Sequence, residues 1–327
     1  MEYQSNGRLI KGVGGLYFVT VDKKDSDPLS ERTVPCRARG KFRHAGTPPL
    51  VGDRVEITYN DRTLTALDAP DGKDAATEIM ISKILDRKNS LIRPPLANLD
   101  VLFIAMASAA PAPLLPTVDK LILIAEFNGI EPVIVIGKGE LDPQNAERIT
   151  DIYRRAGFPV FVLSAHTGEG VDDIRHHIEE SLSGKIAAFA GASGVGKSSL
   201  LNRLFPHLHL ETGEISQKIE RGKNTTRHVE LLTFPCRDGE GYLADTPGFS
   251  MLDFVHFDFF TKDDLPYTLR EFRDHIGHCR YKKCTHTKEE GCAIREAVAS
   301  GEIPESRYES FLEIYNVLKD KKDWEQK

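Results

Sequence analysis

A chain of 327 residues with 40% hydrophobic side chains has enough apolar material for two or three globular cores. No run approaches the ~20 apolar residues of a membrane-spanning helix. The net charge of −6 excludes a uniformly basic protein, yet residues 1–93 carry 16 Lys/Arg against 13 Asp/Glu while the remainder carries 27 against 36.

The first 93 residues show short strand-like runs: Leu16–Val21, Val34–Lys41, Arg54–Thr58 and Ile79–Leu85. Turns rich in Gly, Pro and Asp separate them, as at Thr47-Pro48-Pro49 and Pro70-Asp71-Gly72. Many short strands in a small basic module predict a five-stranded oligonucleotide-binding (OB) barrel. Arg32, Arg37, Arg39, Lys41 and Arg43 lie close together with no acid among them. With Phe42 and His44 they are expected to form a patch that tracks a nucleic-acid backbone and stacks a base. Cys36 and Cys236 follow prolines in strand-like runs and are expected to be small buried residues. Arg93-Pro94-Pro95 reads as a joint.

From Val101 apolar strands alternate with amphipathic helices. The pattern runs through a strand at Val101–Ala107, a helix over Thr117–Asn128, a strand at Pro132–Ile136 and a helix opening at Asp142-Pro143. A strand at Pro159–Leu163 and a helix from Val171 follow. Asp at the cap with Pro at the first helical position is a start signal. The alternation predicts a mostly parallel sheet covered on both faces. The expected domains are therefore an OB barrel over 1–95, an α/β domain over 96–260, and a helical C-terminal domain over 261–327.

Within the α/β part, Gly191-Ala192-Ser193-Gly194-Val195-Gly196-Lys197-Ser198 fits G-x-x-x-x-G-K-[ST] between a strand candidate, Lys185–Ala190, and a helix pattern. Its glycines let backbone N–H groups turn around a triphosphate. Lys197 is placed to reach the β- and γ-phosphates, Ser198 to hold Mg²⁺, and Ser199 to sit beside them. Further on, Asp245-Thr246-Pro247-Gly248 closes an apolar strand; Asp245 is the expected Mg²⁺ partner and the Gly248 N–H the γ-phosphate sensor. The polar loop from Ile219 to His228 between them reads as a mobile switch, in which Thr225 or Thr226 supplies a second hydroxyl to Mg²⁺. Upstream, the strand ending at Ile136 runs into Gly137-Lys138-Gly139-Glu140, where a guanine-reading loop belongs, and Asp142 is an alternative carboxylate. Ser164-Ala165-His166 occupies the second base-contacting turn. The base-reading segment thus precedes the phosphate loop, the reverse of the order in ordinary small GTPases, which predicts a circularly permuted GTPase domain.

After Thr261 strand patterns disappear. Cys279-x4-Cys284-x-His286-x5-Cys292 offers three thiolates and one imidazole, a closed tetrahedral set of the kind structural Zn²⁺ prefers. A last helix from about Pro304 carries Tyr308, Phe311, Leu312, Tyr315 and Leu318 as its expected packing stripe. Metal-type cysteine spacing, and a start at Met1-Glu2-Tyr3-Gln4 without signal-peptide character, point to a reducing cytoplasm.

A basic barrel, a permuted GTPase domain and this cysteine pattern, in this order, resemble the RsgA (YjeQ/EngC) family of small-ribosomal-subunit biogenesis GTPases. The resemblance extends to Asn98-x-Asp100, the phosphate loop, Asp245-Thr246-Pro247-Gly248-Phe249 and the four metal ligands. It implies a GTP/GDP- and Mg²⁺-binding enzyme with one structural Zn²⁺. It further implies a cytoplasmic monomer that docks on the 30S subunit late in assembly, contacts 16S rRNA and hydrolyses GTP under ribosomal stimulation. The family's Asn-Lys-x-Asp appears here as Gly137-Lys138-Gly139-Glu140, and its proposed water-orienting His appears as Asn224, with His228 four residues on. The alternative is a nucleotide-gated RNA- or ribosome-binding factor with weak hydrolysis or relaxed base specificity.

Overall fold

Strand β1 (Glu2–Val13) buries alternate residues and bends at a bulge between Leu9 and Lys11. Its first half pairs antiparallel with β4 (Arg54–Asn60) and its second half with β2 (Leu16–Val21). The strand was not legible as such, because Asn6-Gly7-Arg8 and Lys11-Gly12 interrupt its apolar alternation. β2 pairs with β3 (Thr33–Ala38), β3 runs parallel to β5 (Met80–Ile84), and β5 pairs with β4. The order β1-β2-β3-β5-β4-β1 closes on itself, which leaves no free edge and confirms the five-stranded OB-like barrel. Leu9, Val19, Val34, Cys36, Val55, Ile57 and Ile81 fill it. Burial pushes the Cys36 thiol up to about 12, which suits a packing residue. Cys236 is only half-buried, because it sits next to the exposed turn between two strands described below.

The computed structural model describes residues 2–40, 42, 46–67, 79–92, 94–206, 229–245 and 261–319. These fall into two compact units. One comprises the described residues within 1–100, 182–188 and 223–248, the other those within 101–181, 189–222 and 249–327.

In the second unit β6 (Val101–Ala107) is buried along its whole length, as expected of a parallel strand covered on both faces. It runs parallel to β7 (Glu131–Gly137), pairing Val101 with Glu131 and Ala107 with Gly137. Between them lies α2 (Leu115–Phe127), with Pro116 in its first turn; the short helix Asp61–Leu67 of the barrel is α1. α3 (Pro143–Arg155) starts where Asp142 accepts the Asn145 N–H at 3.0 Å. β8 (Val160–Val162) extends the sheet beside β7, and α4 (Val171–Ser181) follows. The strand β9 (Ile186–Gly191) leads into α5 (Lys197–Leu204).

In the first unit β10 (Glu230–Cys236) and β11 (Gly239–Asp245) form a hairpin, and Ile186 and Ala187 lie parallel to Tyr242 and Leu243. Asp100, one of the two residues quoted from the joint, accepts the Ile186 N–H at 2.9 Å; Asn98 bridges Lys88 N and the Gly52 carbonyl.

No strand occurs after residue 261 among the described residues, as expected. α6 (Ala293–Ala299) and α7 (Glu305–Lys319) belong to the second unit. The packing stripe of α7 differs from the expected one: Arg307, Ser310, Phe311, Ile314 and Leu318 are buried, whereas Tyr308, Leu312 and Tyr315 are half-exposed. Arg307 is 1% exposed because two carboxylates await it. Its Nη1 donates to Asp119 at 2.7 Å and its Nε to Glu271 at 2.6 Å. Asp119 also accepts Tyr153 Oη at 2.9 Å and Ser310 Oγ at 2.5 Å. A buried guanidinium is tolerable only in such company. Among the described residues no helix is long and apolar enough to cross a membrane.

Candidate nucleotide site and metal centre

The phosphate loop begins where β9 ends. Gly191 has φ 147°, and a Cβ there would stand 2.1 Å from the Ala105 carbonyl oxygen, so a side chain is excluded where the loop leaves the sheet. Gly194 and Gly196 take φ of 79° and 99° and turn the chain into α5. No side chain caps that helix, so its first-turn N–H groups and the positive end of its dipole remain directed at the loop. Lys197 Nζ lies inside the arc, donating to the Gly191 and Ala192 carbonyls at 2.7 and 2.8 Å. Burial lowers its pKa. A phosphate oxygen is a stronger acceptor than either carbonyl, so this ammonium suits a phosphate entering the loop. Ser193 and Ser199 are exposed and Ser198 is half-buried.

A cavity of about 430 Å³ adjoins the loop. Val195, Gly196, Lys197 and Ser199 wall one side; Gly137, Lys138, Glu140, Leu141, Ala165 and His166 wall the other. The two motifs are therefore brought together, although the fifty residues 141–190 separate them. Lys138 fastens them directly: its Nζ donates to the Gly194 carbonyl at 2.9 Å and also to the Ala110 carbonyl. Gly139 is buried behind this wall, where a Cβ would meet Val162 Cγ1 at 2.8 Å.

Two sequence candidates have other employment. Asp142 caps α3 and does not line the cavity, so Glu140 is the carboxylate of this loop that does. Ser164 is buried and its Oγ accepts the Thr167 N–H at 3.0 Å; it folds the turn, while Ala165 and His166 face the cavity. Asp245 ends β11 opposite Glu230 with its side chain exposed. Asn224, Thr225, Thr226, His228 and Gly248 lie outside the described residues, as do Lys41, Arg43 and His44 of the basic patch. Arg32, Arg37 and Arg39 are exposed, but Phe42 is 8% exposed and does not offer the stacking ring expected of it. Ser108, whose hydroxyl donates to the Lys138 carbonyl, carries no motif and was not legible.

The metal centre is local. Cys279, Cys284, His286 and Cys292 place their ligand atoms within 4.8 Å of one another. Cys279 Sγ lies 3.9 Å from Cys292 Sγ, and each lies 3.5 Å from His286 Nδ1. A tetrahedral Zn²⁺ with bonds of about 2.3 Å to sulfur and about 2.0–2.1 Å to nitrogen requires edges of ~3.8 Å between sulfurs and ~3.5 Å between sulfur and nitrogen. These three donors fit that ion closely, and Cys284 completes the set within 4.8 Å. Burial pushes the Cys284 thiol up to about 12, and a bound cation would oppose that shift. His286 sits at φ 61°, held by Tyr308 Oη, which donates to its carbonyl at 2.9 Å. Glu289 gathers the loop by accepting from Thr285 N, Thr285 Oγ1, Thr287 N and Lys288 N. Burial pushes its carboxyl up, but these donors outweigh burial and carry it down to about 2.

The model of the RsgA GTPase matches residues 84–255 and that of the RsgA N-terminal domain residues 6–66. The chain is 38% identical to the small ribosomal subunit biogenesis GTPase RsgA of Alkaliphilus metalliredigens, over 96% of this chain and 98% of that one. It is 39% identical to the protein of the same name from Halalkalibacterium halodurans, over 96% and 97%. The crystal structure of YjeQ from Thermotoga maritima superposes with a TM-score of 0.77 at 31% identity, covering 98% of this chain and 100% of that one. YloQ, described as a circularly permuted GTPase, superposes with a TM-score of 0.73 at 32% identity, over 98% and 96%.

Proposed function

The chain belongs to the RsgA GTPase family and is a GTP hydrolase, and from that membership we propose that it serves small-ribosomal-subunit biogenesis. In this reading it acts as a cytoplasmic monomer, binds the 30S subunit and its 16S rRNA late in assembly, and leaves after hydrolysis. The observation that carries the nucleotide part is the cavity joining the phosphate loop to the Gly137–Glu140 loop, with Lys138 tying one to the other.

The chain's own groups divide the work. Backbone N–H groups of residues 191–198 and the start of α5 hold the phosphates, and Lys197 places its charge between them. Glu140 accepts the base's edge N–H groups, the stem of Lys138 covers the ring, and Ala165 and His166 close the pocket. Ser198, Thr225 and Asp245 would hold Mg²⁺, which when bound neutralises charge on the β- and γ-phosphates. Asn224 or His228 orients the attacking water, and the Gly248 N–H senses the γ-phosphate. An asparagine is no general base near neutral pH, so intrinsic hydrolysis is slow and the ribosome raises it. The Cys₃His cluster holds one structural Zn²⁺ that shapes the C-terminal domain over 261–327, and Arg32, Arg37 and Arg39 of the barrel domain over 1–95 face RNA phosphates. Turnover of GTP with and without 30S subunits tests this; equal, fast turnover in both would refute it.

The second reading, a nucleotide-gated factor with relaxed base specificity, draws on Gly137 and Glu140. It is favoured if the purified protein binds GTP, ATP and XTP alike.

A further inference from the structure

Lys138 adopts φ 57°, the left-handed region, where a lysine stays only if its surroundings hold it. Two residues later Glu140 reaches the cavity wall, so the conformation of Lys138 decides where that carboxylate stands. What holds Lys138 comes from outside the motif. Its carbonyl accepts Ser108 Oγ at 2.6 Å and Leu141 N at 2.9 Å. The neighbouring Gly137 carbonyl accepts Ser108 N at 3.0 Å. Ser108 follows β6 and is fully buried, at 0% exposure.

The support continues one step further. The Ser108 carbonyl accepts Asn145 Nδ2 at 2.5 Å. Asn145 lies in the first turn of α3, its backbone N–H fixed by Asp142 at 3.0 Å and its Oδ1 held by Arg148 Nε at 3.1 Å. All three polar groups of Ser108 are therefore committed, two to the base-reading loop and one to the helix behind it. Neither Ser108 nor Asn145 lines the cavity. Besides the Lys138 bond to the Gly194 carbonyl, the phosphate loop has fixings of its own, in Gly191 against Ala105 and in the start of α5.

We propose that Ser108 and Asn145 are positioning residues for base recognition: they set where Glu140 meets the nucleobase without touching the nucleotide. The inference rests on the nucleotide reading above. Without the Ser108 hydroxyl, Lys138 relaxes out of the left-handed region and carries residues 139 and 140 with it. The phosphates lose little, and the base loses its reader.

The test titrates the full-length protein and its Ser108→Ala and Asn145→Ala variants with GDP, ADP and inorganic triphosphate, with melting curves alongside. The wild type is expected to prefer GDP to ADP. Ser108→Ala weakens GDP binding about ten-fold and Asn145→Ala about three-fold, the effect of one well-placed hydrogen bond and of a part of one. Affinity for inorganic triphosphate, which engages the phosphate loop alone, stays within about two-fold, less than one hydrogen bond is worth. A GDP-to-triphosphate ratio unchanged from wild type in both variants overturns the proposal, as does a parallel loss of both ligands. Should Ser108→Ala not fold, the ratio for Asn145→Ala, a half-exposed helical position, decides alone. A wild type that binds GDP and ADP equally overturns the guanine-selective reading in favour of relaxed base specificity, and the positioning role with it.

Discussion

The second unit holds two sites built on opposite plans. The candidate metal centre draws four donors from fourteen consecutive residues, and those of Cys279, His286 and Cys292 already stand at tetrahedral spacing. The nucleotide cavity draws on strand ends and loops from Ala105 to Leu200, and backbone conformation shapes it more than side-chain chemistry does. A local site is specified by spacing and stabilised by its ion. A distributed site is specified by sheet order and is only as exact as the strands and tethers beneath it. The first is therefore expected to fail all at once when one ligand goes, and the second to lose its functions separately.

Removing the ion or a ligand is the largest test of this contrast. Cys284→Ser, or chelation, is expected to abolish zinc binding and melt the region around 279–292, since structural zinc sites contribute on the order of 10 kcal/mol to folding. Metal analysis and circular dichroism read the loss, while GDP titration is expected to show the cavity still working. Retention of the C-terminal fold without metal would break the comparison. Next comes the buried cluster joining α7 to α2. Asp119→Ala strands Arg307 beside a single carboxylate, and a loss of about 3–5 kcal/mol in unfolding free energy is expected from leaving a buried charge half-paired. Denaturant unfolding measures it.

Smaller effects should separate the two ends of the cavity. Lys197→Ala is expected to cost about 2–3 kcal/mol of nucleotide binding, the value of charge-assisted hydrogen bonds to phosphate, with the GDP-to-ADP preference kept. Gly137→Asn combined with Glu140→Asp should do the reverse, sharpening guanine preference by about 1 kcal/mol, roughly one added hydrogen bond, at unchanged affinity for inorganic triphosphate. A Cβ at 137 comes within 3.2 Å of the Val195 carbonyl oxygen, so the new side chain fits after a shift of a few tenths of an ångström and gains an acceptor. An unchanged preference would mean that Glu140 is not the base-reading carboxylate.

Much of this was legible because it is local. Strand periodicity placed β2 and β6 to the residue, and the Asp142-Pro143 signal placed the start of α3. Composition could not follow β1, whose glycine and polar residues are tolerated because it pairs with both β2 and β4. It also failed on α7, where Arg307 belongs to the buried face although hydropathy assigns it to water.

The sequence by itself determined the chemistry: a glycine-bounded phosphate loop, a closed Cys₃His set suited to zinc, and a reversed motif order. Each depends on residues close along the chain, whose spacing limits what they can bind. Only the tertiary structure decided which carboxylate of this loop lines the cavity. The sequence left Asp142 open as an alternative to Glu140, and the helix start that occupies Asp142 leaves Glu140 at the cavity wall. The tertiary structure also decided that Ser108, with no motif to mark it, holds the Lys138 carbonyl, since strand neighbours are chosen by the packing of the whole sheet.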